Sequence, residues 1–183
     1  MVIYQKKETN MSKAKLKKEL NNLTKEQLME QILDLYDKNK AVKEFYDFYL
    51  NPVNEKELVE KYKKLIRKEF NVERPERGSE KFSVAKKAIA DFKSLQPSPE
   101  ALADVMLYLP ESACELTYCY GDYSEQFYDS TYNNYKAALE FMAKNKLLNE
   151  FKLRAEQCVE WASPCGYGFA DDIASVFYDY YGD

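Results

Sequence analysis

From Leu28 to Tyr180 the apolar residues of this chain recur three and four positions apart, and no segment alternates with period two for any length. Leu28, Ile32, Leu35 and Tyr36 form one stripe, and Val42, Phe45, Tyr46 and Tyr49 restart it. Leu58, Tyr62, Leu65 and Ile66 form the next, followed by Phe82, Ala85, Ile89, Phe92 and Leu95. The same spacing returns in Leu102–Leu109, Tyr128–Met142, Phe151–Ala162 and Phe169–Tyr180. Only 5 glycines and 6 prolines are present, and they fall mostly between the stripes. A chain with this pattern can bury its apolar groups only as packed helices, so the fold class is all-α.

Local signals place the helix ends. Thr24 and Gln27 make a capping box, with Leu23 and Leu28 as its hydrophobic staple, and Asn54 with Glu57 repeats the logic after Pro52. Ser98-Pro99 supplies an N-cap followed by proline at the first helical position, and Ser124 caps a later helix. Pro110 lacks a donor and clashes with the preceding turn, so it is expected to kink or split its helix, leaving a second segment from Glu111 to about Tyr118. The polar run NVERPERGSEK, residues 71–81, is the best internal boundary. The expected organisation is a tail over 1–11, a basic helical subdomain over 12–70, a connecting loop over 71–80 and an acidic, tyrosine-rich helical subdomain over 81–183. These make one irregular bundle of about eight to nine helices. Stacked helical hairpins, solenoid-like, are the alternative for the C-terminal half.

The formal charge of -4 hides an asymmetry. Residues 1–96 hold 22 Lys/Arg against 16 Asp/Glu, and residues 97–183 hold 5 against 15. No apolar run approaches the length that spans a bilayer, and the N-terminus lacks the apolar core of a secretory signal, so a cytoplasmic protein without membrane contact is expected. Cys114, Cys119, Cys158 and Cys165 are then expected as free thiols. Their gaps of four and six residues fit poorly the short paired spacing of a zinc site.

The chain has no histidine. That removes Ser-His-Asp and Cys-His catalysis, the 2-His-carboxylate iron site and the E-x-x-H pairs of di-iron bundles. No glycine-rich phosphate loop occurs. Neither a catalytic residue, a resident metal nor a cofactor is assigned, and the balance leans away from an enzyme. Carboxylate chemistry alone survives: Glu111, Glu115, Asp122 and Glu125 flank the break at Gly121 and would suit a hard cation or an acid–base pair if they converged. That alternative is a metal-dependent hydrolase.

The stretch from Leu102 to Tyr135 holds seven of the sixteen tyrosines. Tyrosine anchors interfaces well, so Tyr118, Tyr120, Asp122, Tyr123 and Glu125, with Tyr178 and Tyr181 near the C-terminus, are the expected contact surface for a protein partner. Two basic clusters, Lys13, Lys15, Lys17 and Lys18, then Lys63, Lys64, Arg67 and Lys68, leave a nucleic-acid accessory role as a third reading.

The run LKKELNNLTKEQLMEQILDLYDKNKAVKEFYDFYLNP resembles the opening of a bacterial domain family of unknown function. The segments YGDYSEQFYDSTYNNYKAALEFM and GYGFADDIASVFYDYYG fit the same resemblance, which thus extends over nearly the whole chain. It implies an all-α cytosolic protein, with no activity and no catalytic residues to carry over. The first run also resembles the SAP helix–loop–helix used on DNA, and departs from it in lacking the glycine between its helices. The leading expectation is a cytosolic, all-α protein-interaction module.

Overall fold

A computed structural model describes residues 12–51 and 55–182. Among them lie nine α-helices and no strand. The expected tail over 1–11 and the Asn54 cap fall outside the described residues. The chain divides into two units, Met1–Asp47 and Phe48–Asp183.

The first unit carries α1 (Lys13–Leu20), α2 (Lys25–Lys38) and most of α3 (Lys40–Leu50). Each start has a chemical reason. The Ser12 hydroxyl accepts from the Lys15 N–H at 3.3 Å. At Thr24 the capping box forms as the sequence indicates: its hydroxyl accepts from the Gln27 N–H at 3.2 Å, and the Gln27 carbonyl accepts from the Thr24 N–H at 3.0 Å. The Asn39 carbonyl oxygen accepts from the Ala41 N–H at 3.0 Å and starts α3. At the α2–α3 joint the Tyr36 hydroxyl donates to Asp47 at 2.6 Å. None of these three helices contains a buried residue.

The second unit is built around α6 (Pro99–Tyr120), against which α4 (Glu55–Glu69), α5 (Phe82–Ser94), α7 (Glu125–Asn145) and α8 (Leu148–Ala162) all pack. α9 (Phe169–Tyr181) lies on α7 and α8. Twelve residues of α6 are buried, among them Leu102, Val105, Leu107, Leu109, Ala113 and Leu116, and they cover about two-thirds of its circumference, leaving the face of Asp104, Tyr108, Glu111, Glu115 and Tyr118 less covered. One helix in contact with four others makes this a bundle rather than a stack of hairpins.

Two expectations are corrected. Pro110 does not split its helix: α6 runs through it from Pro99 to Tyr120. Pro110 is itself buried, and packing on several sides offsets the one backbone bond that it cannot donate. The unit boundary also differs from the expected loop at 71–80. α4 presents Val59, Tyr62 and Ile66 to the core, and Tyr62 meets Phe92 with ring centroids 5.0 Å apart. Phe70 meets Phe82 at 4.8 Å and Phe127 at 6.0 Å, so the helix before the loop shares a core with those after it. The loop is fastened too: the Glu80 N–H donates to the Glu69 carbonyl at 3.0 Å, and a Cβ at Gly78 would stand 2.5 Å from that same oxygen.

Buried polar groups are satisfied inside their own helices. Ser112, Thr117 and Thr131 donate to carbonyls one turn back, and the Tyr135 hydroxyl crosses from α7 to the Ala155 carbonyl at 2.8 Å.

The contrast between the units is measurable. Leu107→Ala, at a position with no exposure, should lower unfolding free energy by about 3 kcal/mol in urea titration, whereas Ile32→Ala in α2 should cost under about 0.5 kcal/mol.

Candidate functional site

The α6–α7 turn is the surface that tyrosine content singles out, and most of its groups are engaged within the second unit. Gly121, with φ of 92°, ends α6, and Ser124 caps α7 by accepting from the Phe127 N–H at 3.3 Å. Asp122 lies between them and stitches two turns together. Its Oδ1 accepts from the Gly166 N–H at 3.0 Å and from the Tyr128 hydroxyl at 2.8 Å. Those bonds hold its carboxyl below the usual range, Gly166 first and Tyr128 second. Tyr128 accepts in turn from the Tyr123 N–H at 3.0 Å and stacks on Phe169 at 4.3 Å. Tyr123 stacks on Phe127 at 4.5 Å, and burial with the nearby Glu80 pushes its hydroxyl up to about 12. The Tyr120 hydroxyl donates to the Val72 carbonyl at 2.6 Å. Tyr181 donates to the Leu148 carbonyl at 2.9 Å and stacks on Phe177. Tyr118, at 57% exposure, and Tyr178, at 63%, present the most open surface of the expected contact tyrosines.

The four candidate carboxylates are not brought together. Glu111 turns to Arg154, Asp122 to Gly166 and Tyr128, and Glu125 occupies the exposed first turn of α7. Glu115 borders a cavity of about 190 Å³ beside Arg67, Tyr108 and Ser112. Among the described residues no group of three or more Asp, Glu, Cys or His is placed to hold a metal ion. All four cysteines are free, with Cys114 and Cys158 buried, Cys119 exposed and Cys165 between the two.

The polar centre of the second unit lies elsewhere. Arg154 on α8 grips Glu111 on α6 with two bonds, Nε to Oε1 at 2.7 Å and Nη2 to Oε2 at 2.5 Å. Its Nη1 donates to Asp104, and Lys63 on α4 reaches the other oxygen of Asp104 at 2.7 Å. Two cations and two carboxylates thus alternate across three helices. Burial raises the Glu111 carboxyl above its ordinary value, and Arg154 offsets part of that. Burial works against the Arg154 charge, but Glu111 and Asp104 outweigh it, so the guanidinium stays protonated. The cluster opens on a groove of about 600 Å³ walled by Val59, Ala101 and Phe151. At its far end Glu55 accepts from the Ser98 N–H at 2.6 Å and the Ser98 hydroxyl at 2.8 Å, closing the α6 N-terminus. Each strong donor and acceptor described here already has a protein partner, which suits a structural clamp better than a reaction centre.

Sequence reasoning missed Arg154. The signal was present: it is the one arginine in an acidic C-terminal half, three residues after Phe151 and four before Cys158 on a buried stripe.

The first unit offers the opposite arrangement. In α2, Met29 is 52% exposed, Ile32 41%, Leu33 60% and Leu35 52%. Large apolar groups stand in water along one helix face. α1 beside it in sequence carries Lys13, Lys15, Lys17 and Lys18, all exposed. Lys63 and Arg67 of the other basic cluster are engaged, with Asp104 and with the Tyr108 hydroxyl at 2.5 Å.

Removing one member of the buried cluster should be costly. Arg154→Met leaves Asp104 and Glu111 facing each other and should lower stability by roughly 2–3 kcal/mol, the side chain being one-third exposed, while adding Glu111→Leu should recover most of it. Asp122 gives a pH signature. A carboxyl held below its unfolded value of 3.8 contributes stability that is present above that pH and lost as pH falls through the lower folded value. Urea midpoints measured across that acid window should fall less steeply for Asp122→Asn than for the wild type.

No helix among the described residues is long and apolar enough to cross a membrane. No curated protein and no solved structure matches the chain. A family model does, described as a family of unknown function (DUF6155), and it matches residues 11–164, from α1 to the end of α8. The chain belongs to this family of unknown function.

Proposed function

We propose that this chain is a protein-interaction module of the bacterial cytoplasm, acting by non-covalent capture rather than by catalysis, with the apolar face of α2 as its principal contact. One observation carries the reading. α1, α2 and α3 contain no buried residue, yet α2 exposes Met29, Ile32, Leu33 and Leu35 along one face. An amphipathic helix with its apolar side in water is stabilised by whatever covers it. α1, of eight residues, is also too short to be stable as an isolated helix. The tyrosine surface first expected contributes Tyr118 and Tyr178 as secondary contacts, since Tyr120, Asp122, Tyr123 and Tyr181 are tied into the second unit. The four free thiols fit a reducing compartment.

The test is site-specific photo-crosslinking in native lysate. A photoreactive side chain at Leu33 should yield a defined protein adduct that survives nuclease. The same group at Leu153, 82% exposed on α8, should not. An adduct at Leu33 that disappears with nuclease would replace the reading with nucleic-acid binding through the α1 lysines. No adduct at Leu33 would remove α2 as the contact.

A further inference from the structure

We propose that the protein covering the α2 face is a second copy of this chain, paired through α1 and α2. The inference rests on the binding reading above and names its partner. α1 and α2 carry opposite charge. Lys13, Lys15, Lys17 and Lys18 against Glu19 give α1 a net +3, while Glu26, Glu30, Asp34 and Asp37 against Lys25 and Lys38 give α2 a net -2. At 3.6 residues per turn, Leu28, Met29, Ile32, Leu33, Leu35 and Tyr36 share one arc of α2, and Glu26, Asp37 and Glu30 line the edge beside Leu33. In α1 the apolar pair Leu16 and Leu20 is bordered by Lys13 and Lys17.

These opposite edges are left apart within the chain. Among the described residues no ion pair joins α1 to α2, and the one bridge in the segment runs along α2 from Lys38 to Asp34 at 2.5 Å, between two exposed side chains. A twofold dimer resolves both features at once. In such an interface each contact occurs twice, residue i meeting j and j meeting i. The lysine edge of one α1 then meets the acidic edge of the other α2, twice over, while the apolar arcs close on each other. Because α1 and α2 carry opposite charge, a second copy presents to each an edge of opposite sign. Nucleic acid would use only the lysines and leave Met29, Ile32, Leu33 and Leu35 in water.

The experiment is sedimentation of the full chain across micromolar concentrations and a range of salt. Wild type should associate to a dimer that weakens as salt screens the edges. Lys13→Glu with Lys17→Glu, and separately Glu30→Lys with Asp37→Lys, should each weaken the dimer at least about tenfold, because each variant places like charges opposite one another. An equimolar mixture of the two variants should restore it as a heterodimer. Circular dichroism should show the second unit melting as in wild type in every case. The salt dependence of the wild type serves if either variant loses helix. A monomer at every concentration overturns the proposal, as does a dimer indifferent to both variants or a mixture that fails to reassemble. A monomer that still gives a foreign protein adduct at Leu33 would overturn the second copy and keep the binding reading. A monomer with no adduct would end both.

Discussion

Burial of α6 is the constraint on which the second unit depends. A helix buried over about two-thirds of its circumference needs several neighbours, and α4, α5, α7 and α8 supply them. This explains why a proline is tolerated at position 110. The bond it cannot make is one among many interactions that hold the buried segment. It also explains why α4, which lies before a proline- and glycine-bearing loop, belongs with the helices after it. Its stripe of Val59, Tyr62 and Ile66 is buried, α4 packs on α5 and α6, and Tyr62 meets Phe92 of α5.

Charge is used in two different ways. In the second unit, Lys63, Asp104, Arg154 and Glu111 alternate in sign and neutralise one another at half-buried positions beside a groove. Such a cluster selects one register of α4, α6 and α8, since a slipped helix would strand a charge without its partner. In the first unit the charges of α1 and α2 lie largely in water and are unevenly shared, a net positive charge on α1 and a net negative one on α2. Segregated exposed charge adds little to the stability of a single chain. In the pairing proposed above, it acts on the copy that approaches.

Much of the fold was legible because it depends on short sequence separations. The Thr24–Gln27 box, the Ser98-Pro99 start and the Ser124 cap are decided within one helical turn, and each appears where the residues indicate. What stayed illegible depends on long separations. Periodicity shows that Tyr62 faces inward but not that it meets Phe92. Nothing local pairs Glu111 with Arg154, 43 residues away, or Asp122 with Gly166, 44 residues away. For this reason a run of carboxylates near one turn could suggest a site that the structure disperses, Glu111 to Arg154, Asp122 to Gly166 and Tyr128, Glu115 to a separate cavity and Glu125 to an exposed helix turn. The tyrosines show the same limit, since a phenol that anchors an interface and one that bonds a buried carbonyl have the same sequence. The exposed α2 face inverts the case: its amphipathic pattern reads as a buried helix, and only the structure shows Met29, Ile32, Leu33 and Leu35 exposed, with no residue of α2 buried.

The central claim is that the second unit is held by its own core while α1 and α2 are completed from outside the chain. Amide hydrogen exchange on the full chain, followed as a function of concentration, tests this most directly. The account predicts amides of α6 protected to the level of global unfolding at every concentration, and amides of α2 exchanging far faster in dilute solution and slowing as concentration rises. Protection of α2 equal to that of α6, at all concentrations, would contradict it.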